Sequence, residues 1–290
     1  MQLLVYILLY PLLKLISLLP FRLLYVLSDF VYLIIYYVVG YRKETVRHNL
    51  RLALPHLSDQ ERLKIEKASF RHLCDMFLEM IKTISISRKE IDSRFTYENL
   101  DVYLNLEKKQ KSIALMCAHY ASYEWVISMN SKITFEGFAI YKKIANKYFD
   151  KLVRDIRSRF KATLITTKET IKTIEDNHHT KHLGVYGFAS DQSPKANKVA
   201  HWGTFMEIET PIHTGAEMLA KKFDMNVIFL KVKKIKRGFY RASFEILTEN
   251  ASSVPDYQIS DRFMKKVEEQ ILEAPEYYLW THKRWKHTKP

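Results

Sequence analysis

Hydrophobic and polar positions along this chain fall into three successive patterns. Residues 1–40 are apolar almost throughout, with Lys14, Arg22 and Asp29 as the only charged side chains. Pro11 and Pro20 predict helix breaks within that stretch, because an interior proline removes a backbone hydrogen bond. Residues 41–95 read as helical: a turn at Leu54-Pro55, a cap at Ser58-Asp59, then a long amphipathic run from about Gln60 to Ile84. Beyond Asn99 short apolar runs recur at Ile113–Ala118, Ala162–Thr166, Leu183–Ala189, Met225–Val232 and Ala242–Leu247, and these are expected strands. Between them lie helical stretches around Tyr123–Met129, Lys147–Arg159, Lys168–Glu175 and Thr210–Lys222, with a last helix at about Ser260–Glu273. Such alternation predicts an α/β fold in which helices sandwich a mostly parallel or mixed sheet. No internal repeat or low-complexity linker interrupts it. One domain, residues 41–290, with an N-terminal appendage, residues 1–40, accounts for the organisation.

The appendage is the first place where composition changes the picture. Leu23–Val39 (LLYVLSDFVYLIIYYVV) holds roughly eleven Leu, Ile, Val or Phe. Each favours membrane insertion by about 0.3–0.6 kcal/mol, against about 2.5–3.5 kcal/mol for a central Asp. The sum leans towards the bilayer. A cleaved signal peptide fits poorly, since no positive charge precedes Lys14 and no small-residue cleavage site follows. A buried soluble helix pair stays open as the alternative. The membrane reading predicts Tyr25, Tyr32, Tyr36, Tyr37 and Tyr41 as interfacial aromatics. It also places Arg42, Lys43, Arg47 and Arg51 on the cytoplasmic side, with the rest of the chain behind them.

Charge points the same way. Forty-six Lys and Arg against 32 Asp and Glu give a net +14, which suits a membrane surface, a phosphorylated lipid, an acidic carrier protein or a nucleic acid. Two cysteines, Cys74 and Cys117, are too few for a disulfide framework and too far apart for a metal-ligand pair.

Candidate chemistry concentrates after the run Ile113–Met116, in Cys117-Ala118-His119-Tyr120-Ala121-Ser122-Tyr123-Glu124. A buried strand would deliver His119 to its C-terminal end, the edge where ligands collect in open α/β sheets. On one regular helix residues five apart point about 140° away from each other. With His119 on the loop and Glu124 in the first helical turn, however, the carboxylate can fold back onto one imidazole nitrogen and make the other a better base. A strand-end histidine and a helix-terminal charge with no further role would give the same pattern. An acyl thioester already carries a good leaving group. Its transfer to an alcohol therefore needs a placed base, worth about 10²–10⁴ in rate, and an oxyanion donor, worth about 10²–10³. No Gly-rich phosphate loop, dinucleotide fingerprint or Gly-x-Ser-x-Gly elbow occurs, which disfavours a serine hydrolase.

At these residues the chain resembles the bacterial lysophospholipid acyltransferase superfamily, and within it the lipid A lauroyl/myristoyl transferase branch. His119 and Glu124 match its His-x-x-x-x-Glu motif. Further blocks follow in order: Tyr141-Lys142-Lys143 with Asn146-Lys147, Asp150 and Arg157-Ser158-Arg159-Phe160; Ser190-Asp191-Gln192; His201-Trp202-Gly203 with Thr210-Pro211, Thr214-Gly215 and Leu219-Ala220; and the closing stretch Pro275–Lys286. Upstream, Arg47-His48-Asn49-Leu50 with Pro55, Ser58 and Glu61 resembles the stretch after the family's membrane anchor. The resemblance implies His119 as general base and Glu124 as its orienting partner. It implies Arg157, or else Arg159, on the oxyanion or a substrate phosphate, and Asp191 as an active-site carboxylate. Lys142, Arg159, Gln192 and Trp202 become candidate substrate contacts. It also implies acyl carrier protein as donor, a phosphorylated glycolipid precursor of lipid A as acceptor, no metal or redox cofactor, and attachment to the bacterial inner membrane with the catalytic domain facing the cytoplasm. The continuation Ser193-Pro194-Lys195-Ala196-Asn197 and the His201-Trp202-Gly203 block depart from the family pattern, so acyl length and acceptor stay open.

Other clusters carry less. His178, His179 and His182 lack a partner at metal-ligand spacing and read as a solvated loop. The run Lys231, Lys233, Lys234, Lys236 and Arg237 marks a hairpin or a charge-protected edge, or a contact for acidic lipid or carrier protein. Trp280, His282, Lys283, Arg284, Trp285 and Lys286 suit a membrane interface or base stacking; the apolar N-terminus favours the membrane over nucleic acid. Two rivals remain: an acyltransferase for an aminolipid or lysophospholipid, and a non-enzymatic protein that binds membrane surfaces or nucleic acid.

Overall fold

A computed structural model describes residues 2–287. The N-terminal half is helical: α1 (Gln2–Leu18), α2 (Phe21–Leu33, running on as a π-helical turn Ile34–Val39), α3 (Lys43–Ala53), α4 (Asp59–Lys82) and α5 (Arg88–Arg94). Then come β1 (Phe95–Tyr97), α6 (Leu100–Glu107), β2 (Ile113–Cys117), β3 (Glu136–Tyr141), α7 (Lys147–Ser158), β4 (Ala162–Thr166), α8 (Thr170–His179) and β5 (Gly184–Ala189). The chain finishes with β6 (His201–Phe205), β7 (Ile208–Ile212), α9 (Gly215–Lys222), β8 (Asn226–Lys236), β9 (Phe239–Thr248) and α10 (Gln258–Glu273). Seven strands form one sheet in the order β1-β9-β8-β2-β5-β3-β4, parallel except at the β8–β9 hairpin, while β6 and β7 form a separate ribbon. This is the expected helix-flanked mixed sheet.

Strand β2 shows why the sheet is central. Ile113, Ala114, Leu115 and Met116 are all buried, as a parallel strand covered on both faces requires. The long helix α4 starts with a reciprocal capping box: Glu61 N–H donates to the Ser58 hydroxyl, and the Ser58 N–H to the Glu61 carboxylate.

Several elements differ from expectation. Pro11 lies inside α1 and the chain breaks only at Pro20; α1 gives up the one bond its missing N–H would have made. The helix expected from Tyr123 is a 3₁₀ helix, Tyr123–Ser131. The helix expected from Thr210 begins at Gly215, because Thr210-Pro211 belongs to β7. A proline fits there because a two-stranded ribbon leaves backbone donors unpaired on its outer sides. The lysine-rich run is indeed a hairpin arm, but β8 is an interior strand of the sheet. Part of the run's charge is paired, with Arg237 bonding both Asp75 and Asp29 at 2.7 Å, Lys234 lying 3.6 Å from Asp75 and Lys231 pairing with Glu273, while Lys233 and Lys236 are exposed.

Asp75 and two other buried acids of α4 hold α2 and its extension. Ser28 donates to Asp75 (2.7 Å), Tyr25 to Glu79 (2.8 Å) and Tyr36 to Glu66 (2.8 Å). Phe21, Leu24, Ser28, Tyr32 and Tyr36, spaced three or four apart, form the buried face of α2 and its π-helical extension. Tyr25, Tyr32 and Tyr36 are therefore packing residues rather than interfacial ones; Tyr37 and Tyr41 are exposed. The remaining faces of α1 and α2 are bare and largely apolar, with Arg22 and Asp29 as the exposed charges of α2, and Phe21–Val39 is long and apolar enough to cross a membrane.

Candidate active site

The register of the sheet builds the site. Cys117, the last residue of β2, pairs with Ala189, the last residue of β5. Two residues beyond each strand end stand His119 and Asp191, which therefore meet across the C-terminal edge of the sheet. Asp191 is 1% exposed and accepts from His119 twice, from its backbone N–H at 3.1 Å and from ring Nδ1 at 2.7 Å. Because an ionised carboxylate can only accept, Nδ1 carries the hydrogen and Nε2 is left as the basic nitrogen.

The loop after His119 is pinned to the C-terminal strap, residues 275–287. Leu279 N–H donates to His119 O (3.1 Å), and Ala121 N–H to Tyr277 O (2.9 Å). Ala121 adopts φ +49°, a left-handed conformation in a non-glycine residue, of the kind that clusters at functional sites. The His119 ring sits 5.0 Å edge-on from that of Tyr123.

Burial works against a charged His119. Asp191, by charge and hydrogen bond, and then Glu124 outweigh it, so the His119 pKa lies above the usual 6.5. For Asp191 burial favours the neutral acid, yet His119 and its backbone N–H hold the carboxyl below 3.8. Cys117, on the same edge, is a poor nucleophile: burial first, then Asp191 and Glu124, push its thiol up to about 12.

Glu124 does not bond the imidazole. It pairs with Arg157 of α7 at 2.6 Å, both side chains being less than one-fifth exposed. The expected contact fails because Asp191, fixed by the strand register, already occupies the Nδ1 side of the ring, while the 3₁₀ turn points Glu124 towards α7. The site thus contains two acid–base pairs, His119–Asp191 and Glu124–Arg157.

The other expected residues scatter. Arg159 closes the loop after α4, its two terminal nitrogens donating to the carbonyls of Thr83, Ile84 and Ile86. Lys142 is exposed on the loop after β3, on the sheet edge that carries His119. Gln192 is half-buried beside Asp191, and Trp202 is half-buried on β6. His182 bonds Glu136 at 2.9 Å, and no group of three or more potential metal ligands occurs among the described residues.

Sequence reasoning missed the strap's part in the site. Trp280, Arg284 and Trp285 are buried rather than laid on a surface. Arg284 donates to Pro211 O (3.1 Å) and to the Ser193 hydroxyl (3.3 Å), and His282 Nε2 accepts from Ser193 N–H (3.1 Å). Burial depresses the His282 pKa to about 4, so this ring stays neutral near Asp191 and His119. His213 is likewise depressed by burial, with Arg284 adding to the effect. No local signal separates such a tail from an interfacial one, since both mix aromatic and basic residues.

Known proteins resemble this chain in sequence over most of its length. The family described as Bacterial lipid A biosynthesis acyltransferase matches residues 2–287. The Lipid A biosynthesis palmitoleoyltransferase of Escherichia coli (strain K12) is 23% identical over 254 residues, covering 86% of this chain and 80% of the relative. The Lipid A biosynthesis acyltransferase of Shigella flexneri is similar to the same extent. The Escherichia coli Lipid A biosynthesis lauroyltransferase is 22% identical over 250 residues. The chain belongs to the bacterial lipid A biosynthesis acyltransferases, and it is an acyltransferase.

Proposed function

We propose that this member of the family moves a fatty acyl chain from acyl carrier protein onto a hydroxyl of a phosphorylated lipid A precursor, with His119 as the general base. The observation that carries the proposal is the His119–Asp191 pair at the sheet edge, with Nδ1 committed to Asp191 and Nε2 free. In the step, Nε2 takes the proton of the acceptor hydroxyl while its oxygen attacks the thioester carbonyl. The tetrahedral oxyanion then collapses, the carbon–sulfur bond breaks, and the departing thiolate takes the proton back from His119. Arg157 is the oxyanion donor in this reading, oriented by Glu124. The nearest backbone donors of the loop, Tyr120 and Ala121 N–H, are already bonded to Ala118 O and Tyr277 O. Asp191 fixes the ring and stabilises the imidazolium.

The bare apolar faces of α1 and α2 give the lipid acceptor a place to enter. In this reading they lie in the cytoplasmic leaflet of the inner membrane while α2 stays bonded to α4. The test is transfer of labelled acyl chain from acyl carrier protein to a tetra-acylated lipid A precursor, by membranes carrying wild type or His119→Ala. A fall of at least about a hundredfold in the variant, the low end for losing a placed base, supports the assignment. Equal transfer by the two rejects His119 as base. Wild type that is inactive here but acylates another membrane lipid rejects the acceptor and keeps the chemistry.

A further inference from the structure

We infer that the groove between α3 and the C-terminal strap is the subsite for a phosphate group on the acceptor's sugar headgroup; this rests on the phosphorylated-glycolipid reading above. The groove encloses about 380 Å³, within the range of about 300–1,000 Å³ typical of small-ligand sites. Thr45 and His48 line it from α3, and Lys283, Trp285 and Lys286 from the strap.

Its chemistry suits a phosphate. Each lysine offers three donors and no acceptor. Trp285 is 4% exposed and gives the groove a fixed aromatic wall. The one carboxylate in the lining, Glu44, has an 87% exposed side chain and leans to Arg47 at 3.5 Å. It therefore stands at the rim rather than neutralising the floor.

The groove also adjoins the catalytic loop. Leu279 is bonded to His119 O, and Asn49 of α3 donates to the carbonyls of Trp280 and His282 at 2.7 Å. Lys283 is four residues from Leu279, at most about 14 Å along a fully extended chain. The base and the groove thus sit at two ends of one short, anchored segment, placed for one headgroup to engage both.

The test is calorimetric titration of the full-length protein in detergent with glucose 1-phosphate, glucose and inorganic phosphate. Glucose 1-phosphate is expected to bind and glucose not. Lys283→Ala/Lys286→Ala is expected to weaken glucose 1-phosphate binding tenfold or more, and arginine at both positions to retain it. Equal binding by wild type and the double-alanine variant overturns the site. Inorganic phosphate binding as tightly as glucose 1-phosphate overturns the headgroup assignment in favour of a free anion. These titrations do not use the acylation reaction, so failed transfer to the lipid A precursor with successful titration would remove only the acceptor reading. Where transfer is observed, KM for the phosphorylated acceptor is expected to rise at least tenfold more in the double variant than KM for its dephosphorylated counterpart. A uniform rise for both overturns the proposal.

Discussion

Two regions with similar sequence character end up in opposite surroundings. The α1–α2 segment and the C-terminal strap are both rich in aromatic or aliphatic residues and bear few acids, and both read as membrane-facing. In the fold, Leu23, Val26, Phe30 and Val38 are 55–79% exposed, while Trp280, Arg284 and Trp285 are at most 4% exposed. The difference lies in what each must bond. Several of the strap's polar atoms have protein partners: Trp280 Nε1 donates to Pro275 O within the strap, and Arg284 Nη1 to Ser193 and Pro211, while Trp285 Nε1 and two Arg284 nitrogens are buried without one. The outward face of α2 is mostly Leu, Val and Phe, with Arg22 and Asp29 as its charged positions and Asp29 paired with Arg237, so little of it needs burial in protein. Composition reports a preference for leaving water; hydrogen-bond partners decide whether protein or lipid receives the group.

The largest expected effect tests the buried side of this contrast. Trp280→Ala removes a fully buried indole that packs edge-on to Tyr278 at 5.0 Å. Such deletions cost about 3–5 kcal/mol. Urea unfolding in detergent should register a loss of about 4 kcal/mol. A loss below about 1 kcal/mol would mean that the strap peels off and is a surface element after all.

A second expectation concerns the seat on which α2 rests. Glu79 is fully enclosed and accepts from Tyr25 and Tyr240, each at 2.8 Å. Burial, with Asp75 adding to it, raises its pKa from 4.5 to about 7 against the opposing hydrogen bonds. A raised folded-state pKa means the folded protein binds the proton more tightly than the unfolded chain. The associated stability is complete below pH 4.5 and is lost as pH rises through about 7. The span corresponds to about 3 kcal/mol. Asp191 titrates below this window, and His119 adds a loss of the same sign above pH 6.5. Subtracting the unfolding profile of Glu79→Gln from that of wild type isolates the Glu79 slope; parallel profiles would refute it.

A third, smaller effect addresses the exposed side. Leu23→Asn/Val26→Asn/Phe30→Asn alters residues that are 55–66% exposed. Surface changes of this kind are worth about 0.5 kcal/mol or less each in stability. Burying such side chains in lipid is worth about 1.5 kcal/mol or more apiece. Co-sedimentation with vesicles should therefore fall at least about a hundredfold while the melting temperature in detergent hardly moves. Unchanged sedimentation would show that the bare face is not the one that meets lipid.

What could be seen in advance follows the same division between local and distant information. Strands β2, β4, β5, β8 and β9 are legible because each is a compact apolar run. Strand β1 has three residues and offers no pattern, and β3 is opened by Glu136-Gly137. The β6–β7 ribbon turns on Met206-Glu207, both at positive φ, without the Asn-Gly signature that such turns favour. Proline at position 211 then masks its second strand. His119 and Glu124 are visible as a motif, but the Asp191–His119 bond follows from a strand register linking residues 72 positions apart. The partner of Glu124 was misjudged for that reason: local spacing shows which groups are near in sequence, and register decides which of them meet.

The smallest expected effect lies where the two regions come closest to touching. Arg42, just past the π-helical end of α2, donates to Thr281 O of the strap at 2.9 Å across an exposed contact. Water competes for both groups there, so the bond contributes little, in contrast to the enclosed Asn49 bonds to the same strap. Arg42→Ala should lower stability by about 0.5 kcal/mol and leave vesicle binding within about twofold. If it instead releases the protein from vesicles as fully as the triple α2 variant, the basic end of the segment, rather than its apolar face, holds the protein at the membrane. The contrast between the two regions would then rest on charge and not on where apolar surface finds cover.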